Sequence, residues 1–141
     1  MIFEDLIGVP YKLGGRDLAG MDCWGLCIEV GRRAGIDLPP YASPENLDMV
    51  PVMTRGIVGA IHESPFQKIH RAEPFCLVAI RTGAAFVDHV GVVMEDRRRF
   101  IHASLARGIV TLERLDHPFW AKRIAGFYRV RDSVRARGSR L

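Results

Sequence analysis

Asp22-Cys23-Trp24-Gly25-Leu26-Cys27-Ile28-Glu29-Val30 opens the most regular helix this sequence offers. Asp22 suits an N-cap, because a short carboxylate there accepts from the first amides of a helix. Cys23, Leu26, Cys27, Val30 and Ala34 then recur at i, i+3, i+4, i+7 and i+11, one apolar stripe of a 3.6-residue period. Gly35 ends the run. Gly25 and Gly31 weaken the helix but would let it lie close against a sheet. Its first turn carries a thiol where amides and dipole favour negative charge, which lowers a thiol pKa. The same amides suit the oxyanion formed when a thiolate adds to a carbonyl. Position alone does not decide, since a cysteine on an apolar stripe is usually a small core residue.

Around this helix the chain divides in two. Residues 1–7 read as a short helix stopped by Gly8 and Pro10, and Tyr11 to Gly20 as a loop whose Gly14, Gly15 and Gly20 permit tight turns or close backbone approach. Beyond Pro39-Pro40, Ser43-Pro44-Glu45 resembles another helix start, with a further helix over Val52 to Ile61. From Phe75 the pattern turns to strands: Phe75–Ile80, Phe86–Met94, Phe100–Ser104, Gly108–Leu112 and Ile124–Val130. Helices first and strands after predict an α+β fold, with N-terminal helices on one face of an antiparallel sheet of about five strands. One domain is expected over residues 1–130, followed by a basic tail over 131–141.

Two histidines fall on one of these hairpins. Paired positions in a hairpin share a constant sum, and side chains on one face of a strand differ by two. If Glu95-Asp96-Arg97-Arg98 forms the turn, with 95 opposite 98, the sum is odd and His89 and His102 share a face as diagonal neighbours. An even sum would separate them. One imidazole within reach of the thiol can take its proton, and a second can hold the first in the right tautomer. His89 suits the base because it stands beside Gly91, where backbone approach is easy. Two histidines on a sheet face are otherwise structural hydrogen-bonding groups. Cys23-x3-Cys27 with His89 and His102 is also a formal zinc set. Its cysteines would ride one helix without a knuckle, and its histidines lie far beyond the usual interval, so no metal is expected.

Composition sets the frame. At 141 residues, 48% hydrophobic and 26% charged, this is the make-up of an ordinary globular domain. No apolar run approaches the roughly 18 residues of a membrane span. The start, Met1-Ile2-Phe3-Glu4-Asp5, shows no secretory signal, so cytoplasmic synthesis is expected. The net charge of +4 belongs to the last thirteen residues, where five arginines face Asp132 alone. Nucleic-acid binding needs a basic face on the fold itself and is not expected. Three cysteines without framework spacing exclude a disulfide scaffold.

At this point four segments in order resemble a family. Pro10-Tyr11-Lys12-Leu13-Gly14-Gly15, Asp22-Cys23-Trp24-Gly25-Leu26, Asp88-His89-Val90-Gly91-Val92 and Phe100-Ile101-His102-Ala103-Ser104 look like the NlpC-type papain-like cysteine peptidases of cell walls. The resemblance implies a papain-like fold, Cys23 as nucleophile, His89 as general base and His102 as third, polar member. It also implies Tyr11 beside the nucleophile and Asp22 as the acidic residue before it. The Cys23 amide would serve the oxyanion hole, with Tyr11 as second donor. The implied substrate is the peptidoglycan stem peptide, often its D-γ-glutamyl–diaminopimelate bond, cleaved without a cofactor. The family usually has Ser after the nucleophile; Trp24 stands there and would alter the substrate groove.

Gly35-Ile36-Asp37-Leu38-Pro39-Pro40-Tyr41 and Arg114-Leu115-Asp116-His117-Pro118-Phe119-Trp120 look most like the subgroup in tails of phages and gene transfer particles. There the domain is a tail-tip component that opens the wall. That implies a tail-tip or baseplate protein as partner and delivery to the periplasm or wall within a virion-like tail. The alternative is a structural tail-assembly protein with an unused cysteine site. His62, His70 and His117 receive no role, Cys27 and Cys76 read as packing residues, and Phe119, Trp120, Phe127 and Tyr128 read as core, with a docking surface for a tail partner as the alternative.

Overall fold

The computed structural model describes residues 3–40, 66–83 and 87–131. The helices expected over 43–61, Phe86 and the tail from 132 onward lie outside the described residues. The leading segment forms a single 3-10 turn, Glu4–Leu6, that buries Leu6. A two-stranded hairpin follows, β1 (Arg16–Asp17) with β2 (Gly20–Met21), within the stretch read as loop. The helix α1 then runs Cys23–Arg33. Next come β3 (Phe66–Ile69), β4 (Leu77–Ile80), β5 (His89–Val93), β6 (Arg99–Ser104), β7 (Ile109–Arg114), the four-residue helical turn α2 (Pro118–Ala121) and β8 (Ile124–Val130).

The caps of α1 explain its bounds. The Gly25 amide donates to the Asp22 carboxylate at 2.7 Å at the start. At the end Gly35 takes a left-handed φ of 78°, and the Ile36 amide reaches back to the Gly31 carbonyl at 2.7 Å. That backward bond satisfies a terminal carbonyl, and glycine adopts the conformation without strain. The buried face carries Cys23, Trp24, Leu26, Cys27 and Val30. Burial of each large apolar side chain among them contributes about 1.5–3 kcal/mol.

The two helix glycines do not serve the main sheet, as their sequence positions suggested. A Cβ on Gly25 would run into the Gly15 carbonyl and the Arg16 guanidinium, and one on Gly31 into the Ile36 carbonyl. Gly25 lets the chain at Gly15 and Arg16 close against α1, and Gly31 makes room for the chain that follows the helix at Ile36 and Leu38.

Among the described residues, six strands form one antiparallel sheet in the order β3-β8-β4-β5-β6-β7. The five expected strands are present, and β3 is the addition. The first of them begins at Leu77 because Phe75 holds a φ of 64°, which no strand accommodates. Alternation sorts the side chains. Ala79, Val90, Val92, Ile101, Ala103 and Val110 pack under α1, whereas Val78, Ile80, Val93 and Phe100 pack on the opposite face with Trp120. Trp120 and Tyr128 are buried and Phe127 partly so, while Phe119 is exposed. No helix among the described residues is long and apolar enough to cross a membrane.

Candidate active site

The β5–β6 hairpin pairs Val92 with Ile101 and Val93 with Phe100, an odd sum. Arg97 turns the corner at a φ of 62°, and Asp96 accepts from the Arg98 and Arg99 amides. His89 and His102 therefore project from one face, and His89 Nε2 lies 2.7 Å from His102 Nδ1. Gly91 makes the approach possible. A Cβ there would come within 2.9 Å of the Ile101 carbonyl oxygen and 3.1 Å of the His102 Cβ.

The sheet end at which β4 stops, β5 starts and β6 stops opens into a cavity of about 500 Å³. Cys23, His89, His102 and Tyr11 all line it, with Ser104, Leu105, Arg107, Phe119 and Trp120 completing much of the wall. Helix and histidines thus meet although they belong to different faces: Cys23 is the first residue of α1 and His89 the first of β5. Tyr11 is placed by a bridge to Met21 and by its amide, which donates to the Gly108 carbonyl at 2.8 Å.

Asp22 and Trp24 stand outside this cavity. The Asp22 carboxylate is buried and accepts from the Gly25 amide, from the Gly14 amide at 3.0 Å and from Arg16 at 2.6 Å. It holds the first turn of α1 and the preceding loop in place. Trp24 is fully buried, packs edge-on against Phe66 and donates its indole N–H to the Pro39 carbonyl at 2.7 Å. Its side chain belongs to the core, because the second residue of α1 points beneath the helix rather than toward the sheet end. The formal zinc set is likewise split. Cys27 lies in the core, and no three His, Cys, Asp or Glu residues gather around a metal-sized site among the described residues.

Electrostatics follows from burial. Burial pulls the His89 imidazole far below its ordinary value of 6.5, helped by His102 and opposed by Asp88. Burial also lowers His102, with Arg107 adding to the effect. Both rings are neutral near pH 7. The Tyr11 hydroxyl is pushed well above its usual range by burial, then by negative charge at Cys23 and Asp22, so it stays a donor. Burial raises the Cys27 and Cys76 thiols, Cys76 to about 11, which makes both poor nucleophiles.

One residue escaped the sequence reading. Glu113 Oε2 lies 3.2 Å from His102 Nε2, and also accepts from the Thr111 hydroxyl at 3.0 Å. The signal was available. Pairing of Ser104 with Ile109 gives another odd sum, which places Thr111 opposite His102 and Glu113 diagonally on the same face. The expected strand stopped at Leu112, one residue short.

Comparison with known proteins identifies relatives of the chain. Over 122 residues the chain is 28% identical to the murein DD-endopeptidase MepS/murein LD-carboxypeptidase of Escherichia coli (strain K12), covering 86% of this chain and 55% of that protein. The chain thus spans about half the length of the curated relatives it matches. An NLP/P60 family protein, similar to lipoprotein, from Staphylococcus aureus Mu50 superposes with a TM-score of 0.62 at 26% identity, over 89% of this chain and 38% of that one. An NlpC/P60 family protein from Bacillus cereus gives 0.55 at 21% identity, over 89% and 36%, a likeness of fold. The model of the NlpC/P60 family matches residues 8–129, and the chain belongs to that family.

Proposed function

We propose that the chain is a cysteine endopeptidase that hydrolyses peptidoglycan stem peptides, with Cys23 as nucleophile, His89 as base and His102 orienting it. The observation that carries this reading is the 2.7 Å contact from His89 Nε2 to His102, beside a cavity that Cys23 shares. With Nε2 engaged, Nδ1 is the His89 nitrogen left for the thiol. The Cys23 thiol proton passes to that nitrogen and the sulfur adds to the scissile carbonyl. The Cys23 amide and the Tyr11 hydroxyl stabilise the oxyanion. Collapse breaks the C–N bond, and His89 returns its proton to the leaving amine. Water, losing a proton to His89, then cleaves the thioester and Cys23 recovers its proton.

The E. coli relative is named for murein cleavage, which supports a stem-peptide substrate for this chain. Within it, the D-γ-glutamyl–diaminopimelate bond is the proposed target. The segments 35–41 and 114–120 support a place in the tail of a phage or phage-like particle, docked on a tail-tip or baseplate protein. Detection of the chain in purified particles by mass spectrometry would test that placement.

The activity is tested by digesting purified peptidoglycan with the wild-type protein and with Cys23→Ala, identifying products by mass spectrometry. Fragments cut within the stem by the wild type alone are expected, and their termini name the bond. No release by either folded protein would overturn the hydrolase reading in favour of a tail-assembly role.

A further inference from the structure

We propose that Glu113 is a positioning residue that sets the tautomer of His89 by acting through His102. The proposal rests on the roles given above to Cys23 and His89, and it concerns which nitrogen of each ring bears the proton.

His102 has a partner at each nitrogen: His89 Nε2 at 2.7 Å from Nδ1, and Glu113 Oε2 at 3.2 Å from Nε2. A neutral imidazole has one N–H, and a carboxylate only accepts. The His102 proton therefore sits on Nε2, facing Glu113, and His102 Nδ1 offers a lone pair. His89 must then donate from Nε2, which leaves its Nδ1 bare. A bare nitrogen is what a base needs toward a thiol. Reverse the His102 tautomer and the Glu113 contact fails while the His89 contact changes direction. Its Nε2 lone pair would face the carboxylate oxygen, and His89 would have to accept at Nε2 and carry its proton on Nδ1, where it cannot take another.

The surroundings leave the chain of contacts little freedom. Glu113 pairs with Phe100 across the β6–β7 ladder, so its backbone is fixed beside His102. Its carboxylate also receives the Thr111 hydroxyl at 3.0 Å and the Arg107 guanidinium at 3.3 Å. The rings of Phe100 and Trp120 lie with centroids 5.0 Å from that of His102, so packing restricts the rotation of its imidazole. Asp88, Arg107, Cys23 and Tyr11 are the other charged or titratable groups lining the cavity with the two rings. When His89 becomes charged during acyl transfer, the same path leads to Glu113, so the carboxylate also opposes that charge across His102.

The test is imidazole nitrogen NMR on histidine-labelled protein at neutral pH, for the wild type, Glu113→Gln and Glu113→Leu. Both His89 and His102 are expected as Nε2–H tautomers in the wild type. Either variant should raise the Nδ1–H population of one or both rings. Cys23 alkylation by iodoacetamide, located by mass spectrometry, should slow by roughly 10- to 100-fold, as for loss of an orienting outer partner. Glu113→Asp should restore part of the rate. Glu113→Gln nearly preserves shape, and the same spectra report its fold. A wild-type His89 protonated at Nδ1, or tautomers unchanged in both variants, would overturn the proposal. Altered tautomers in a protein that leaves peptidoglycan intact would uphold it and reject the substrate reading instead.

Discussion

Acid should destabilise this fold well before its carboxylates titrate, because two of its most buried polar groups are neutral imidazoles. His89 is held down to about 3 and His102 to about 4, against 6.5 for a free ring, so the unfolded chain binds protons that the folded chain refuses. The contribution is fully present above pH 6.5, falls as the pH drops below it, and levels off only when the folded rings protonate. Stability then declines by about 1.4 kcal/mol per pH unit for each ring. By about pH 5 each ring has cost about 2 kcal/mol, or about 4 kcal/mol together, against a total of about 5–15 kcal/mol for a typical domain. Asp5, Glu29, Asp96 and Asp116 are also lowered by arginine or amide partners, but their losses begin only near the ordinary carboxylate values of 3.8 to 4.5. The window from pH 6.5 down to about 5 therefore reads the imidazoles. Urea unfolding followed by tryptophan fluorescence at both ends of that window measures the difference, with Trp24 and Trp120 as buried reporters. His102→Gln should halve the pH dependence. An unfolding free energy unchanged across the window, or a folded His89 that titrates near 6.5 by NMR, would refute the reasoning.

Gly91→Ala should keep the fold at a cost of about 1–3 kcal/mol, the range for overpacking, while displacing His102. Cys23 alkylation should slow more than the stability loss explains; an unaltered rate would mean that the His89–His102 contact tolerates the methyl. Trp24→Phe strands the Pro39 carbonyl and should cost about 1–3 kcal/mol by denaturant unfolding. Its peptidoglycan fragments should match those of the wild type, because Trp24 lies under α1 and outside the cavity. A changed fragment pattern would show that it shapes the groove after all.

What could be read beforehand was what local chemistry decides. The helix Cys23–Arg33 follows from a capping carboxylate, a 3.6-residue stripe and a terminal glycine, all within fourteen residues of sequence. The strand Ile124–Val130 has the bounds its apolar run suggested. The shared face of His89 and His102 follows from turn parity, a rule that needs only neighbours. What could not be read is non-local. Strand Phe66–Ile69 contains Gln67 and Lys68 and is a strand because β8 pairs with it across the sheet edge. Asp22 could be seen as a cap, but not as the acceptor for Arg16 and the Gly14 amide. The place of Trp24 beside the thiol suggests a groove residue. The helix turns 100° per residue, however, and carries its indole toward Phe66.

The segment that carries Tyr11 has a consequence for how the protein comes to exist. The Gly8 amide bonds to the Val110 carbonyl, the Val110 amide to the Val9 carbonyl, and the Tyr11 amide to the Gly108 carbonyl. These bonds join stretches roughly a hundred residues apart, so they form late in a chain that emerges from the ribosome in order. A nascent chain can build α1 with its thiol in place early. It cannot bring Tyr11, His89 and His102 together beside that thiol until β5, β6 and β7 have been made. The cavity that Cys23 shares with them is therefore completed only by strands made long after α1.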